Sequence, residues 1–346
     1  MLPEEFSNTL IKWQKESGRN NLPWQVTDPY KRWVSEIMLQ QTQVATVIEY
    51  YERFMRRFPT VQSLAQASED ELMQYWSGLG YYSRARNMLR SAKIIVQDNQ
   101  GVFPQKRLDW EKLPGVGRST AAAVVAFSFG EKETILDGNV KRVLMRIYGI
   151  EAPSDDKEVT KHLWELAESL LPDHDLPRYI QGLMDLGATV CARKPKCDVC
   201  PFANCCEAKR QEKQNEIPLP KKRLSRSQKE WTFLLLWNDD GCLLQKRSEQ
   251  GVWRGLYSLP SVDGDLSEEE VMETLKGWNV KIRNVQRLES FPHDFSHFRL
   301  ILHPFAIHVS DDVTATKANT RWVRLKELPD IGMPAPIRSL LERFFA

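Results

Sequence analysis

The sequence predicts two domains, a mainly helical N-terminal domain followed by a smaller α+β domain. Three observations support this fold class. The chain has 346 residues, more than one hydrophobic core usually serves. Residues 1–208 show the apolar spacing of helices, whereas residues 231–346 contain short strand-like runs. Residues 209–230, between them, are polar and basic, which is typical of an exposed linker.

The helical pattern of the N-terminal domain is clearest after Asp28-Pro29, a pair that suits an N-cap and the first helical position. Apolar residues then recur along one helix face as far as Met38. Glycine and proline separate this helix from the next ones. The predicted helices span residues 29–42, 44–57, 69–76, 84–98, 119–129, 138–147, 157–170 and 177–190.

The C-terminal domain is predicted to open with a β-hairpin. Two apolar runs, 231–237 and 242–247, are separated by Asn238-Asp239-Asp240-Gly241, which is a turn sequence. Ser267 and Glu270 form a capping-box pair at the start of a helix. The remaining predicted elements are strands at 280–291, 298–309 and 320–325 and helices at 267–278 and 334–345.

Composition and charge exclude some classes of protein and leave others open. No run of eighteen apolar residues is present, so we expect no membrane span. Glu4 and Glu5 lie where a signal peptide needs basic and then apolar residues, so we expect a cytoplasmic protein. The net charge is only +2, so binding to a polyanion would depend on local patches such as 193–196 or 141–146. On charge alone, a solvated helix face or loop is the better explanation of these patches.

The segment Leu113-Pro114-Gly115-Val116-Gly117 connects two predicted helices. Glycine accepts a positive φ and lets the backbone approach a ligand closely. The next helix starts near Ser119, and the free N–H groups at a helix start suit a phosphate. The segment resembles the hairpin of helix-hairpin-helix DNA-binding proteins, which implies that Gly115, Val116 and Gly117 bind DNA phosphate without reading sequence.

Five of the six cysteines fall within sixteen residues, which indicates a metal or cluster site in a cytoplasmic protein. Cys191, Cys197, Cys200 and Cys206 are separated by five, two and five residues. Four such thiolates can hold a [4Fe–4S] cluster or a zinc ion. Cys205 is an alternative to Cys206 as the fourth ligand.

Two carboxylates are candidates for acid–base chemistry. Asp137 precedes a predicted helix that begins near residue 139, where its simplest role is an N-cap. Glu36 lies in the helix 29–42, with Gln40 and Gln43 on its side. An isolated glutamate there is usually a solvated surface acid. A pair of carboxylates would nevertheless suit cleavage of a glycosidic bond.

These motifs together resemble the MutY family of adenine DNA glycosylases, within the endonuclease III superfamily. The resemblance covers nearly the whole chain in the family's order, although the family usually has six residues between its first two cysteines. It is carried by LPW (22–24), SEIMLQQTQVATV (35–47), GLGYYSRARN (78–87), LPGVGRSTA (113–121), LDGNVKRVL (136–144), the cysteine loop 191–206 and FSHF (295–298).

The resemblance implies a role for each candidate residue. Glu36 would protonate adenine at N7, and Asp137 would stabilise the sugar cation or a covalent intermediate. Ser119 would lie beside the Asp137 carboxylate. The residues implied in the adenine pocket or in insertion into the duplex are Gln40, Gln41, Tyr81, Gln181 and Trp24. Lys141 would contact the DNA phosphate. The four cysteines would bind a [4Fe–4S] cluster rather than zinc.

Residues 231–325 resemble a Nudix fold, best in GVWRGLYSLP (251–260), but they lack the acidic motif that binds metal for pyrophosphate hydrolysis. The resemblance therefore implies a recognition domain in which Phe295, Ser296 and His297 contact 8-oxoguanine. The expected partner is double-stranded DNA with 8-oxoG:A or G:A mispairs, bound by a nucleoid-associated monomer.

Three other functions stay open at this level. A bifunctional glycosylase/lyase would have a lysine where Ser119 stands, as its amine attacks the sugar. A non-catalytic DNA-binding protein would make Glu36 and Asp137 incidental. A nucleotide pyrophosphatase would need the missing acidic motif.

Overall fold

The chain divides into two units in the computed structural model, which describes residues 2–220, 227–248, 250–278, 280–295, 297–310 and 319–346. Unit 1 comprises Met1–Gln66 and Arg86–Arg223, and unit 2 comprises Ala67–Ala85 and Leu224–Ala346. A short segment from the helical half of the sequence thus belongs with the C-terminal half. None of the described helices combines the length and apolar character that crossing a bilayer requires.

Helices account for most of unit 1, and three helices, α5, α13 and α14, lie in unit 2. The α-helices of the described residues are α1 (Pro3–Ser17), α2 (Pro29–Leu39), α3 (Val44–Arg57), α4 (Val61–Ala65), α5 (Glu69–Trp76), α6 (Ser83–Gln97), α7 (Arg107–Trp110), α8 (Arg118–Phe129), α9 (Gly138–Tyr148), α10 (Lys157–Ser169), α11 (Leu176–Asp185), α12 (Glu207–Arg210), α13 (Glu268–Leu275) and α14 (Ala335–Phe344).

The predicted start of α2 is confirmed. The Asp28 carboxylate accepts the backbone N–H groups of Tyr30 at 2.9 Å and Lys31 at 3.1 Å, and Pro29 occupies the first turn. The predicted end at residue 42 is wrong, because the helix stops at Leu39. Gln41 has a φ of +59°, which an α-helix does not allow. The chain therefore turns sharply before α3.

The predicted helix over 177–190 has two parts. α11 ends at Asp185, and one turn of π-helix covers Leu186–Val190. The amide of Cys191 donates to the carbonyl oxygen of Leu186 at 2.7 Å, five residues earlier. π-Turns of this kind often occur at functional sites. This turn leads directly into the cysteine loop.

The core of unit 1 is formed by α1, α8, α9 and α11. Alanines dominate the buried face of α8, which lets neighbouring helices approach it closely. Phe6 of α1 stacks on Phe202 of the cysteine loop, with ring centroids 4.7 Å apart. Ile217 is 1% exposed within this core. The first half of the segment predicted as a linker therefore packs on unit 1, and residues 221–226 lie outside the described residues.

Unit 2 contains one mixed sheet of eight strands in its described residues. β1 and β7 are parallel neighbours at its centre, with Trp231 opposite Leu302. β2 pairs antiparallel with β1, and β5 pairs antiparallel with β7. The strands are β1 (Ser227–Asn238), β2 (Gly241–Lys246), β3 (Tyr257–Ser258), β4 (Ser261–Asp263), β5 (Ile282–Arg287), β6 (Phe291–Asp294), β7 (Phe298–Val309) and β8 (Thr320–Arg324).

The two faces of this sheet carry different helices. Leu234 and Leu236 of β1 share a buried cluster with Val271 and Leu275 of α13. Trp237, which points to the opposite face, contacts the rings of Phe344 and Phe345 at the end of α14. The predicted hairpin is confirmed by antiparallel pairing of β1 and β2.

The strand prediction over 280–291 is wrong in one respect. Residues 282–287 form β5, but β6 is a separate strand that begins at Phe291 and pairs with residues 299–302 of β7. The strands β3 and β4, of two and three residues, are too short for an alternating pattern.

Candidate active site and cysteine loop

Glu36 lies half-buried on α2, one turn after the buried Arg32. Burial is the largest influence on its carboxyl and raises its pKa to about 7. The positive charge of Arg32 opposes this rise, and the negative charge of Asp137 adds to it. The two carboxylates therefore lie near enough to influence each other. A group with this pKa can both hold and release a proton near neutral pH.

Asp137 caps α9, as the sequence predicted. Its carboxylate accepts the N–H groups of Asn139 at 2.9 Å and Val140 at 2.8 Å. Its side chain is exposed to solvent, yet the protein atoms around it raise its pKa. The two N–H groups and the charge of Arg142 favour its ionised form.

Ser119 and Gln40 link the helices that carry Glu36 and Asp137. The Ser119 Oγ accepts the backbone N–H of Leu136, the residue before Asp137, at 3.0 Å. The Gln40 amide donates to Thr120 Oγ1 at 3.2 Å. The end of α2, the start of α8 and the start of α9 therefore meet at one place.

Gln41 and Tyr81 share an unusual backbone conformation. Gln41, in unit 1, is exposed with a φ of +59°, and Tyr81, in unit 2, is 49% exposed with a φ of +47°. Bulky residues seldom adopt the left-handed region, and such strain concentrates at functional sites. An exposed side chain on a strained turn suits insertion into a duplex.

Trp24 and Gln181 lie in packed surroundings. Trp24 is 2% exposed and meets the Tyr51 ring edge-on, at 5.4 Å between centroids. The Gln181 amide donates to the buried Asp185 at 2.9 Å, and Arg19 pairs with the same carboxylate at 2.7 Å. The structure thus brings Glu36, Asp137, Ser119 and Gln40 together. Trp24 packs against Tyr51, and Gln181 is bound to Asp185.

The segment 113–117 forms a tight turn before α8. Gly115 has a φ of +78°, and a Cβ there would lie 2.8 Å from the Asn87 Cβ, so only glycine fits. The Val116 amide donates to the Leu113 carbonyl at 3.2 Å, inside the turn. No side chain caps the start of α8 at Gly117. Within the described residues, this helix start is therefore open to an anion.

Lys141 is held within unit 1. Its amine donates to the Ser154 carbonyl at 3.0 Å and to Thr160 Oγ1 at 2.7 Å. These bonds tie α9 to the beginning of α10.

Four cysteines surround one concavity, namely Cys191, Cys197, Cys200 and Cys206. The pKa of the Cys200 thiol is raised to about 11, mainly by burial and further by the other three sulfurs. The mutual influence places all four sulfurs near one another.

Cys205 is different from these four. Its side chain is exposed, and the causes that raise the pKa of its thiol, burial first and then Glu5, include none of the four cysteines. Cys206 instead donates to the Arg146 carbonyl at 3.3 Å and lines the concavity.

Two arginines of α9 support the cysteine loop, a role that was not predicted from the sequence. Arg142 donates to the carbonyl oxygens of Cys191 at 2.9 Å and Gly187 at 2.7 Å. Arg146 donates to the Ala192 carbonyl at 2.6 Å and to the Cys191 sulfur at 3.5 Å. Their spacing of one turn, on a helix that Asp137 caps, is the signal that could have revealed them.

Phe295 and His297 lie at the tip of the hairpin between β6 and β7 in unit 2. The Phe295 ring stacks on Phe298 at 4.6 Å and contacts Trp253 at 5.4 Å, so Phe295 anchors the tip. His297 is exposed, and Ser296 lies outside the described residues. Trp253, from the segment GVWRGLYSLP, has a φ of +57° and is 8% exposed.

Comparison with known proteins agrees with this arrangement. Residues 34–169 match the HhH-GPD superfamily of base excision DNA repair proteins, and residues 232–343 match the NUDIX domain. The chain is 38% identical to the adenine DNA glycosylase of Buchnera aphidicola from Acyrthosiphon pisum, over 98% of this chain and 97% of that protein. It is 31% identical to the adenine DNA glycosylase of Homo sapiens, over 93% of this chain and 70% of that protein.

Solved structures show the same helical fold. A thermostable thymine-DNA glycosylase has 31% identity and a TM-score of 0.55, covering 60% of this chain and 97% of that chain. A non-covalent endonuclease III–DNA complex has 22% identity and a TM-score of 0.52, covering 61% and 98%. From its sequence and its fold, the chain belongs to the family of adenine DNA glycosylases, enzymes of base excision DNA repair.

Proposed function

We propose that this chain hydrolyses the N-glycosidic bond of adenine mispaired with 8-oxoguanine or guanine in double-stranded DNA. The observation that carries this proposal is the pairing of Glu36 and Asp137. One carboxyl has a pKa of about 7, and the second is held by two backbone N–H groups at the start of a helix. Glycosidic bond cleavage requires an acid and a carboxylate in these two roles.

In the proposed reaction, Glu36 donates its proton to N7 of the flipped adenine, and the bond between C1′ and N9 breaks with its electron pair going to the base. The positive charge that develops on the sugar is stabilised by the Asp137 carboxylate. Water then adds to C1′ and loses a proton to a carboxylate. The products are free adenine and an abasic site.

Ser119 supports simple hydrolysis over lyase chemistry. Its hydroxyl accepts the Leu136 amide and offers no amine to attack the sugar. The amine of Lys141, the nearest lysine in sequence to Asp137, is bound to Ser154 and Thr160. We therefore propose a monofunctional enzyme whose abasic product stays uncleaved.

The proposed DNA contacts come from strained turns. Gln41 is exposed at a left-handed position and, with the adjacent Gln40, would fill the space left by the flipped base. Tyr81, also exposed at a left-handed position, would insert into the duplex as well. Gly115, Gly117 and the open start of α8 would hold a phosphate. In this proposal Trp24 and Gln181 support the adenine pocket through the packing described above, and Lys141 fixes α9 near the backbone of the DNA.

The cysteine concavity fits a [4Fe–4S] cluster. Cys191, Cys197, Cys200 and Cys206 line it together, and the sulfurs of the other three raise the pKa of Cys200. Four cysteine thiolates are the ligand set that such a cluster takes, so we propose these four as its ligands. When bound, a cluster would tie these four segments of the loop together.

The hairpin tip would read the base opposite the adenine. Phe295 anchors the tip on Phe298 and Trp253, and His297 is presented to solvent. An imidazole and the Ser296 hydroxyl can bond the edge of 8-oxoguanine, whose N7–H is a donor where guanine has an acceptor. We propose that the enzyme works as a monomer on nucleoid DNA in the cytoplasm.

The experiment that tests the catalytic pair compares excision with binding. Glu36→Gln keeps the side-chain shape but cannot donate a proton, and Asp137→Asn cannot offset the sugar charge. Each variant is expected to lose single-turnover adenine release by at least about a hundredfold while its affinity for an 8-oxoG:A duplex changes little. Near-normal excision by either variant would refute the role of that residue.

A further inference from the structure

The segment Ala67–Ala85, which carries Tyr81, packs within unit 2. Met73 of α5 is 1% exposed, and a Cβ on Gly332 would lie only 2.8 Å from its Cβ. Met333, the next residue of the C-terminal sequence, is also 1% exposed. The segment and residues 332–333 therefore form one close-packed contact.

The carbonyl oxygen of Met333 is the main polar anchor in this contact. It accepts the Ser77 hydroxyl at 3.1 Å and the Tyr82 hydroxyl at 3.2 Å. Arg338 of α14 donates to the Ser77 hydroxyl at 3.4 Å and to the Ile331 carbonyl at 2.6 Å. All of these groups are buried or half-buried, where hydrogen bonds are costly to lose.

Ser77 and Tyr82 stand on either side of the turn that carries Tyr81. Gly78, Gly80 and Tyr81 all have positive φ, so the turn is a strained conformation that its surroundings must maintain. The indole of Trp76 donates to the Gly80 carbonyl at 3.1 Å, which fixes the turn from within. Tyr81 itself remains 49% exposed.

One ion pair and one side-chain hydrogen bond supplement the buried contact at Met333. Lys246 of β2 pairs with Asp70 at 2.6 Å, and the Gln74 amide donates to Asp330 at 3.1 Å. These exposed contacts contribute little energy each. They do, however, fix the direction of α5 relative to the sheet of the same unit.

We propose that the C-terminal sequence positions Tyr81 for insertion into DNA, with the Met333 carbonyl holding both ends of its turn through Ser77 and Tyr82. Ser77 and Tyr82 are positioning residues, because they act through Tyr81. The inference rests on the proposed role of Tyr81 and extends it. The unit that carries the lesion-reading hairpin also sets the inserted side chain. In this proposal, unit 2 both contacts 8-oxoguanine through the hairpin tip and holds the duplex open through Tyr81.

The test uses the full chain with Ser77→Ala and Tyr82→Phe combined, in wild-type and Tyr81→Ala backgrounds. The duplex carries the fluorescent base 2-aminopurine next to 8-oxoguanine. The fluorescence of 2-aminopurine rises when an inserted side chain unstacks this base. In the wild-type background the combined change should reduce this rise and slow single-turnover excision about tenfold. In the Tyr81→Ala background it should have no further effect, because the turn then has no ring to position.

The outcomes distinguish failure of the positioning inference from failure of the proposed insertion of Tyr81. If Tyr81→Ala lowers the signal but the combined variant behaves as wild type, the positioning inference is overturned while the proposed function stands. An equal further loss in the Tyr81→Ala background also overturns it, because the change would then act through general destabilisation. If Tyr81→Ala itself has no effect, the insertion role fails and the inference with it. Should the combined variant not fold, Tyr82→Phe alone gives the same comparison.

Discussion

The protonation state of Glu36 depends on three neighbours with opposing effects. Burial raises its pKa most, the charge of Arg32 lowers it and the charge of Asp137 raises it, and the net result is a pKa of about 7. Arg32 is itself buried, and its guanidinium lies 3.8 Å from the centroid of the Phe127 ring. The cation is therefore fixed in place, so the pKa of Glu36 depends on where the surrounding helices hold these groups.

The first prediction concerns pH. Because the protonated form of Glu36 acts, single-turnover excision should fall as pH rises through about 7. In Asp137→Asn, a negative neighbour is lost, so ionisation of Glu36 becomes easier and its pKa should fall. A ¹³C NMR titration of the Glu36 carboxyl measures this pKa in the wild type and in Asp137→Asn. A pKa that stays the same or rises in Asp137→Asn would show that the two carboxylates do not interact.

Individual site residues differ in how far the sequence could predict them. Asp137 could be predicted as a helix cap from local sequence, because its partners are two and three residues away. The meeting of Glu36 and Asp137 could not, since it depends on the packing of separate helices. The pairing of Arg19 with Asp185, the carboxylate that also accepts from Gln181, was missed as well, because Arg19 is 166 residues from Asp185 along the chain.

At the scale of elements, α9 connects two features of unit 1. Its first residue follows Asp137, and Arg142 and Arg146 on the same helix bind the cysteine loop. Long helices such as α3 and α10 followed the predicted apolar spacing closely. The short helices α4, α7 and α12 were missed, because four or five residues do not complete a periodic pattern.

The second prediction separates the shape of the turn before α8 from its contact with DNA. Gly115→Ala places a Cβ at positive φ and against Asn87, so it should lower the free energy of unfolding by about 1–3 kcal/mol. Gly117→Ala is the matched control, with a φ of −94° and no atom within 4 Å of the new Cβ. It should fold normally but bind duplex DNA more weakly.

Thermal unfolding and a DNA-binding titration give the two measurements. Equal stability of both variants would show that the turn does not need its left-handed residue. Unchanged DNA affinity in Gly117→Ala would show that no phosphate approaches this backbone closely.

At the scale of the whole molecule, the main difference from the sequence-based prediction is the assignment of residues 67–85. Local spacing predicted α5 correctly as a helix over 69–76. It could not reveal that α5 belongs with unit 2, since Met333 lies some 250 positions later and the contact uses a backbone carbonyl. Truncation before β1 would therefore remove the partner of this segment as well as the hairpin tip.

The third prediction concerns the cysteine loop. Anaerobically purified protein should contain about four iron atoms per chain. Cys206→Ala should lose this iron, whereas Cys205→Ala should keep it, because Cys205 is exposed and outside the concavity. Metal analysis that finds stoichiometric zinc and no iron would refute the cluster. If Cys205→Ala loses the iron and Cys206→Ala keeps it, the fourth ligand is Cys205 and not Cys206.

The fourth prediction concerns recognition of the lesion in the full chain. Joint replacement of Ser296 and His297 by alanine should leave adenine excision from G:A largely unchanged but reduce the preference for 8-oxoG:A by about tenfold. Phe291→Leu, on β6 but away from the hairpin tip, is the control and should keep the preference. A full preference in the Ser296/His297 variant would show that the tip does not read the lesion.

The most direct test of the central claim is to measure free adenine after the protein is incubated with duplexes that place adenine opposite 8-oxoguanine, guanine, cytosine or thymine. We predict adenine release from 8-oxoG:A and more slowly from G:A, none from T:A, and an abasic strand that breaks only after alkali. Release of no adenine from any duplex, or equal release from T:A, would contradict the account.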